Sequence, residues 1–317
     1  MIVYNGSMDK EPHKNVLGRV IEDLCAQDRD VIYLDADLMN SSGTYKLWKK
    51  NPSQVINCGI AEADMAGIAA GLSSAGKKPY MHTFGPFASR RCFDQVFISA
   101  AYGGNPVRIL GSDPGVTAAF NGGTHMPFED MALMRAIPES TVIDVADAAQ
   151  FEAVLRLIKD RRGVTYVRFS RKNYPAVYSP DHRFEVGKGQ VVREGRDATI
   201  IACGLMTTEA LKAAGILKDR GIDVRVVDMF TVKPLDGELV KTCAKETGVI
   251  VTSENHNVIG GLGDAVAACV LESGIPVKFK KHGVCDTFGS VGPQDYLQEF
   301  YGLTGQKLAE TLLSLLG

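Results

Sequence analysis

The sequence predicts an α/β protein made of two doubly wound domains with mostly parallel sheets. Three observations lead there. Short apolar, β-branched runs alternate with helix-period segments along the chain. The alternation lapses from Lys172 to about Gly195, where Pro175, Pro180 and a mixture of glycines and charges break both periods. A second alternating series then runs to the C-terminus. Helices separating short buried strands imply βαβ crossovers and a sheet covered on both faces. The expected division is a first domain over 1–175, a connection over 176–195 and a second domain over 196–317.

Each element has its local reason. His13–Gln27 carries apolar residues at helical spacing, and Val31–Asp35 is a continuous apolar run of strand length. A helix rich in Ala, Gly, Ile and Met starts near Glu62, and a strand over Lys78–Phe84 follows it. One helix is expected over Ala88–Tyr102, then strand Val107–Leu110, helix Phe128–Ile137, strand Thr141–Val145, helix Ala148–Lys159 and strand Val164–Phe169. The second series reads as strand Ala198–Ala202, helix Thr208–Arg220, strand Val224–Asp228, helix Gly237–Thr247 and strand Val249–Thr252. Helix Leu262–Ser273, strand Val277–Lys280 and a helical tail over Gly305–Leu315 complete it.

Composition narrows the function classes. The chain has 317 residues, is 45% hydrophobic and carries a formal charge of −2. That balance gives no electrostatic case for nucleic acid or a membrane surface. No apolar run approaches the roughly 20 residues needed to span a bilayer. Met1–Gly6 lacks a basic region followed by an apolar core, so no secretory signal is expected. The 7 cysteines are scattered without a C-x-x-C pair, the usage of free thiols in a reducing compartment rather than of a disulfide framework or zinc site. A cytoplasmic protein is expected.

The most telling stretch is Asn57 to Gly71, which sets Glu62 at the head of a helix apolar around most of its circumference. Such a helix belongs in a core or at a subunit contact. On spacing alone, Glu62 either complements the helix macrodipole or is held there for chemistry. Phe84 and Phe87, broken by Gly85 and Pro86 at a strand end, are either core or an aromatic wall for a flat heterocycle.

Taken in order, Gly59-Ile60-Ala61-Glu62, Thr83-Phe84-x-x-Phe87, Gly123-Thr124-His125 and Arg135-Ala136-Ile137-Pro138 resemble the pyrimidine-binding half of transketolase-type, thiamine-diphosphate-dependent enzymes. Asp228–Asp236 and Glu254–Gly263 resemble that family's C-terminal domain, so the likeness covers nearly the whole chain. It implies that Glu62 contacts N1′ of the cofactor's aminopyrimidine and is catalytic, with Ile60, Phe84 and Phe87 also on the cofactor side. It implies that His125 contacts substrate hydroxyls near the reacting carbon and is catalytic too. Ser41, His82, Asp113, Asn121 and Arg171 fall at positions implied to bind substrate. Arginine suits a tetrahedral anion, while the alternative for Arg171 is a surface salt bridge and for His82 a packed core residue. Glu254, His256 and the Gly260–Gly263 turn read mainly as structural.

Two positions depart from the family pattern. Asp113 stands where the family commonly has a phosphate-contacting histidine, and Asn121 where it commonly has an acidic residue. An aspartate beside a phosphate repels it unless a cation intervenes, so a substrate other than the standard pentose and hexose phosphates is expected.

The family holds Mg²⁺ and the diphosphate with a Gly-Asp-Gly motif followed later by Asn. This sequence has no Gly-Asp-Gly; Gly263-Asp264-Ala265 fails at its third position. No residue here is assigned to the metal, which needs oxygens in near-octahedral arrangement. The resemblance therefore implies one subunit of a split transketolase. An N-terminal diphosphate-binding transketolase subunit would complete it, in a two-plus-two assembly containing a homodimer of this chain. Its implied activity is transfer of a two-carbon ketol unit from a ketose to an aldose through a thiamine diphosphate adduct, with sugars as small-molecule substrates. Two alternatives are the β subunit of a 2-oxo acid dehydrogenase-type enzyme, which shares Ile-Ala-Glu and Phe93-Asp94-Gln95, and a non-catalytic scaffold. Gly-Thr-His and the Thr231–Asp236 run favour transketolase over the first. Retention of Glu62, both phenylalanines and His125 argues against the second.

Overall fold

The computed structural model describes residues Met1–Gly317. Seven strands form the first sheet: β1 (Val31–Asp35), β2 (Val55–Asn57), β3 (Lys78–Phe84), β4 (Val107–Ser112), β5 (Thr141–Asp144), β6 (Val164–Phe169) and β10 (Thr231–Lys233). Their spatial order is β10-β5-β6-β4-β3-β1-β2. The second sheet has β7 (Gln190–Arg193), β8 (Ala198–Ala202), β9 (Val224–Asp228), β11 (Val249–Asn257) and β12 (Lys278–Val284), in the order β12-β11-β8-β9-β7. All pairings are parallel except β10 with β5 and β7 with β9. The expected mixed fold of two mostly parallel α/β layers is what forms. Strands β1, β4, β5, β6 and β8 are buried along their whole length, which is why they read as continuous apolar runs.

Three differences from the sequence-based expectations matter. First, β7 lies inside the expected connection, where it is an antiparallel edge strand on β9. It is too short and too polar to show a period. Second, β10 follows directly on β9 in the chain yet joins the other sheet, against β5. Lys233 then donates to the carbonyls of Arg135 (2.8 Å) and Ile137 (2.5 Å), satisfying carbonyls that the helix Asp130–Ala136 leaves open at its C-terminus. The first sheet is thus closed by a segment of the second half. Third, the single helix expected over Ala88–Tyr102 is three pieces: a helix over Gly85–Ser89, a turn over Phe93–Gln95 and a π-helical stretch over Val96–Tyr102. Cys92, with φ −121°, interrupts the run.

The seam between the sheets is polar and dry. Arg168, on β6, is 0% exposed. Its guanidinium donates to Asp130 (2.8 Å), Asp144 (2.6 Å) and the backbone carbonyl of Asn255 (2.9 Å). The Tyr166 hydroxyl adds a bond to Asp130 at 2.7 Å. Beyond the seam, Glu254 accepts from the backbone N–H groups of Leu262 (2.7 Å) and Gly263 (2.8 Å), capping the helix Leu262–Ser273. The Glu254 and His256 motif is therefore structural, as expected. Burial pushes Glu254 up to about 7 and His256 down to about 4. Removing Arg168 strands two buried carboxylates, so Arg168→Met is expected to destabilise the fold by about 3–5 kcal/mol, read as a lowered midpoint in urea unfolding.

Candidate active site

The site forms at the carboxyl ends of β1, β3 and β4, where an open parallel sheet presents its binding groups. Glu62 is the first residue of the helix Glu62–Ser74, whose buried face is Glu62, Met65, Ala66, Ala69 and Ala70. That stripe turns the glutamate inward with the alanines, and it is 2% exposed. Its two oxygens are held separately. Thr83 donates to Oε1 at 3.1 Å and Arg91 to Oε2 at 2.9 Å. A buried carboxylate needs such partners, and it keeps lone pairs free for a further donor.

Phe84, at the end of β3, and Phe87, in the next turn, meet edge to face with ring centres 6.3 Å apart. His125 stands edge-on to both, 5.5 Å from Phe84 and 5.0 Å from Phe87. Arg91 lies over Phe87 at 3.8 Å and Arg171 over Phe84 at 4.7 Å. The aromatic cluster is therefore flanked by two guanidinium groups, each favourable over a ring face. Partial burial, with Arg91 and Arg171 nearby, lowers the His125 pKa from its ordinary value, while Asp113 opposes the shift.

The loops around the cluster are shaped from the second half of the chain. Asn255 accepts from the N–H of Val116 (3.0 Å) and donates to the carbonyl of Pro114 (2.9 Å). Gly115, at φ +52°, passes so close that a Cβ there would sit 2.1 Å from Asn255 Oδ1. Gly123, in the turn carrying His125, faces Gly289 across a gap where a Cβ would meet its carbonyl oxygen at 2.2 Å.

Comparison with known proteins decides the family. The model for the transketolase pyrimidine binding domain matches residues 12–177, and that for the transketolase C-terminal domain matches 187–308. The chain belongs to the transketolase family. The chain is 46% identical over 282 residues to the 6-deoxy-6-sulfo-D-fructose transketolase subunit SqwH of Clostridium sp. strain MSTE9, covering 89% of this chain and 87% of that one. It is 38% identical over 298 residues to a putative transketolase C-terminal section of Methanocaldococcus jannaschii, covering 93% of each. Among solved structures, a split-gene transketolase described as an inactive β4 tetramer superposes with a TM-score of 0.89 at 41% identity, covering 96% of this chain and 98% of that one.

The transketolase family depends on thiamine diphosphate, and the donor set suits that cofactor's aminopyrimidine ring. Glu62 presents a buried carboxylate beside aromatic faces, and Ile60, between Gly59 at φ +74° and the helix start, is 76% exposed. For a metal, no group of three or more His, Cys, Asp or Glu side chains converges within this chain. No helix is long and apolar enough to cross a membrane.

The structure draws Glu62, Phe84, Phe87, His125, Arg171 and Asp113 into one place. Asn121 is exposed at the end of the turn Gly115–Asn121, next to the glycines that lead to His125. His82 is the correction. It is 0% exposed, with Nδ1 against Asp35 at 2.9 Å and Nε2 against Ser112 at 3.0 Å. Neither nitrogen is free for a substrate, so it joins Asp35, Tyr33 and Ser42 in a buried brace under the site. Ser41 is half-buried on the short helix Met39–Ser42, beside that brace.

Arg91 is the residue that sequence reasoning missed. Its partner, Glu62, is far away in the chain, and two adjacent arginines after an aromatic turn look like solvent-facing charge. The interruption at Cys92, where the expected helix breaks, lies just past Arg91. The ring of His125 is expected to titrate below the ordinary histidine value of 6.5, followed by imidazole NMR. Arg91→Met removes a neighbouring cation and moves that midpoint upward.

Proposed function

We propose that this chain is the pyrimidine-binding subunit of a two-subunit transketolase in the cytoplasm. It transfers a two-carbon ketol unit from a ketose to an aldose. A separate diphosphate-binding subunit supplies the Mg²⁺ and diphosphate ligands, in a two-plus-two assembly. The observation that carries this reading is Glu62, a carboxylate buried at a helix head, fixed by Thr83 and Arg91, and facing a Phe84–Phe87–His125 cluster.

When bound, thiamine diphosphate supplies the nucleophilic thiazolium carbon and the electron sink that ketol transfer needs. The chain's own residues bind, orient and manage protons. Glu62 holds a proton at N1′ of the aminopyrimidine while Thr83 and Arg91 keep its oxygens from rotating. Phe84 and Phe87 give the ring an apolar wall, and Ile60 adds contact from the turn before the helix. His125, whose pKa partial burial lowers, can accept or donate a hydrogen bond at a substrate hydroxyl. Its Nδ1 lies 2.9 Å from the Thr124 hydroxyl, a contact that orients the ring.

The need for a second chain is supported by two features. The donor set serves the ring end of the cofactor only. The helix Glu62–Ser74 also leaves an outer face of Gly67, Ile68 and Gly71 exposed, which suits close approach of another subunit. The relatives include a transketolase subunit and a split-gene tetramer, which supports the same reading.

The test is a ketol-transfer assay of the complex formed with its diphosphate-binding subunit. Glu62→Gln keeps the shape and removes the acid, so the rate is expected to fall by about 10²–10⁴-fold with assembly mass and circular dichroism unchanged. A variant working at the parent rate would sink the assignment.

A further inference from the structure

Asp113 and Arg171 form a closed ion pair beside the aromatic cluster. Asp113 directly follows β4, at φ 56°, and is almost fully buried. Arg171 grips its carboxylate three ways. Nε lies 2.6 Å and Nη2 2.5 Å from Oδ2, and the Arg171 backbone N–H reaches Oδ1 at 3.0 Å. The guanidinium meanwhile covers the Phe84 ring, which abuts His125. The pair therefore lines the space beside the groups assigned to the cofactor and substrate.

Its charge is balanced internally. An arginine recognises phosphate best through two parallel N–H groups along one edge of the fork. Here the Nε–Nη2 edge is spent on Asp113, leaving Nη1 as the one nitrogen uncommitted to that carboxylate. The backbone that carries Asp113 is held in place. Its N–H is bonded to the Phe169 carbonyl at 2.9 Å, and the next residues are pinned by Asn255. The other arginines nearby are committed as well: Arg91 to Glu62 at 2.9 Å and Arg90 to Glu129 at 2.6 Å. No guanidinium of this cluster offers an uncompensated positive charge to a dianion.

We infer that the donor of this enzyme is a ketose whose far end carries at most one negative charge, and that the Asp113–Arg171 pair disfavours a terminal phosphate dianion. The inference rests on the transketolase reading above and narrows it to a substrate class. A hydroxyl or a monoanion needs only a single N–H from Nη1, whereas a dianion brought against the pair meets the Asp113 charge at close range.

The experiment uses the complex with its diphosphate-binding subunit and cofactor at pH 8. One aldose acceptor is paired with three donors of the same carbon skeleton: D-fructose, its 6-sulfonate analogue and D-fructose 6-phosphate. The neutral or the singly charged donor is expected to exceed the phosphate in kcat/KM by about tenfold. Asp113→Asn keeps the shape and frees the Arg171 charge. It is expected to raise kcat/KM for the phosphate by about tenfold. Preference of the parent for the phosphate, or no gain from Asp113→Asn in a folded variant, overturns the inference while leaving the transketolase reading intact. Should Asp113→Asn not fold, the donor series on the parent decides alone. Ketol transfer from none of the three donors overturns the transketolase reading and this inference with it.

Discussion

A fully buried guanidinium, that of Arg168, holds the molecule together at the seam of its two sheets. It is satisfied only because three elements converge on it. Asp144 comes from the neighbouring strand, Asp130 from a helix of the first half and the Asn255 carbonyl from the second half. A charge in so dry a place is tolerable only when fully paired, so the relative placement of the two sheets is fixed within narrow limits. The same strand end that supplies the Asn255 carbonyl supplies its side chain, which shapes the loop next to Asp113. Site geometry and domain docking are thus one structural problem.

The candidate site repeats that principle on a smaller scale. Its charged groups occur as carboxylate–guanidinium pairs laid against aromatic faces, Arg91 with Glu62 near Phe87 and Arg171 with Asp113 near Phe84. Pairing lets acid and base groups persist among apolar rings without losing their orientation. Beneath them, His82, Asp35 and Ser112 form a hydrogen-bonded network that touches no open space. His82 is thus used as a brace, while the half-buried His125 faces the aromatic pair.

Much of the fold was legible in the chain. Continuous apolar runs marked β1, β3, β6, β8 and β9 to the residue, because strands buried on both faces leave an unbroken signature. The helices His13–Gln27, Gly237–Thr247 and Leu262–Ser273 were equally plain. The strands that escaped were β2, β7 and β10, each too short for a period to register, and β10 also changes sheet. The broken helix after Phe87 escaped because its interruption, the non-helical backbone at Cys92, carries no Gly or Pro signal.

By itself the sequence determined the alternation that makes an α/β protein, and it set Glu62, Phe84, Phe87 and His125 in an order that resembles the transketolase family. Both are short-range properties, written in neighbouring residues. The tertiary structure alone decided which charge meets which: that Arg91 braces Glu62, that Asp113 takes up Arg171, that His82 is closed off, and that Lys233 crosses to the other sheet. Those partners lie far apart along the chain, and a contact made through space leaves no periodicity for a sequence to reveal.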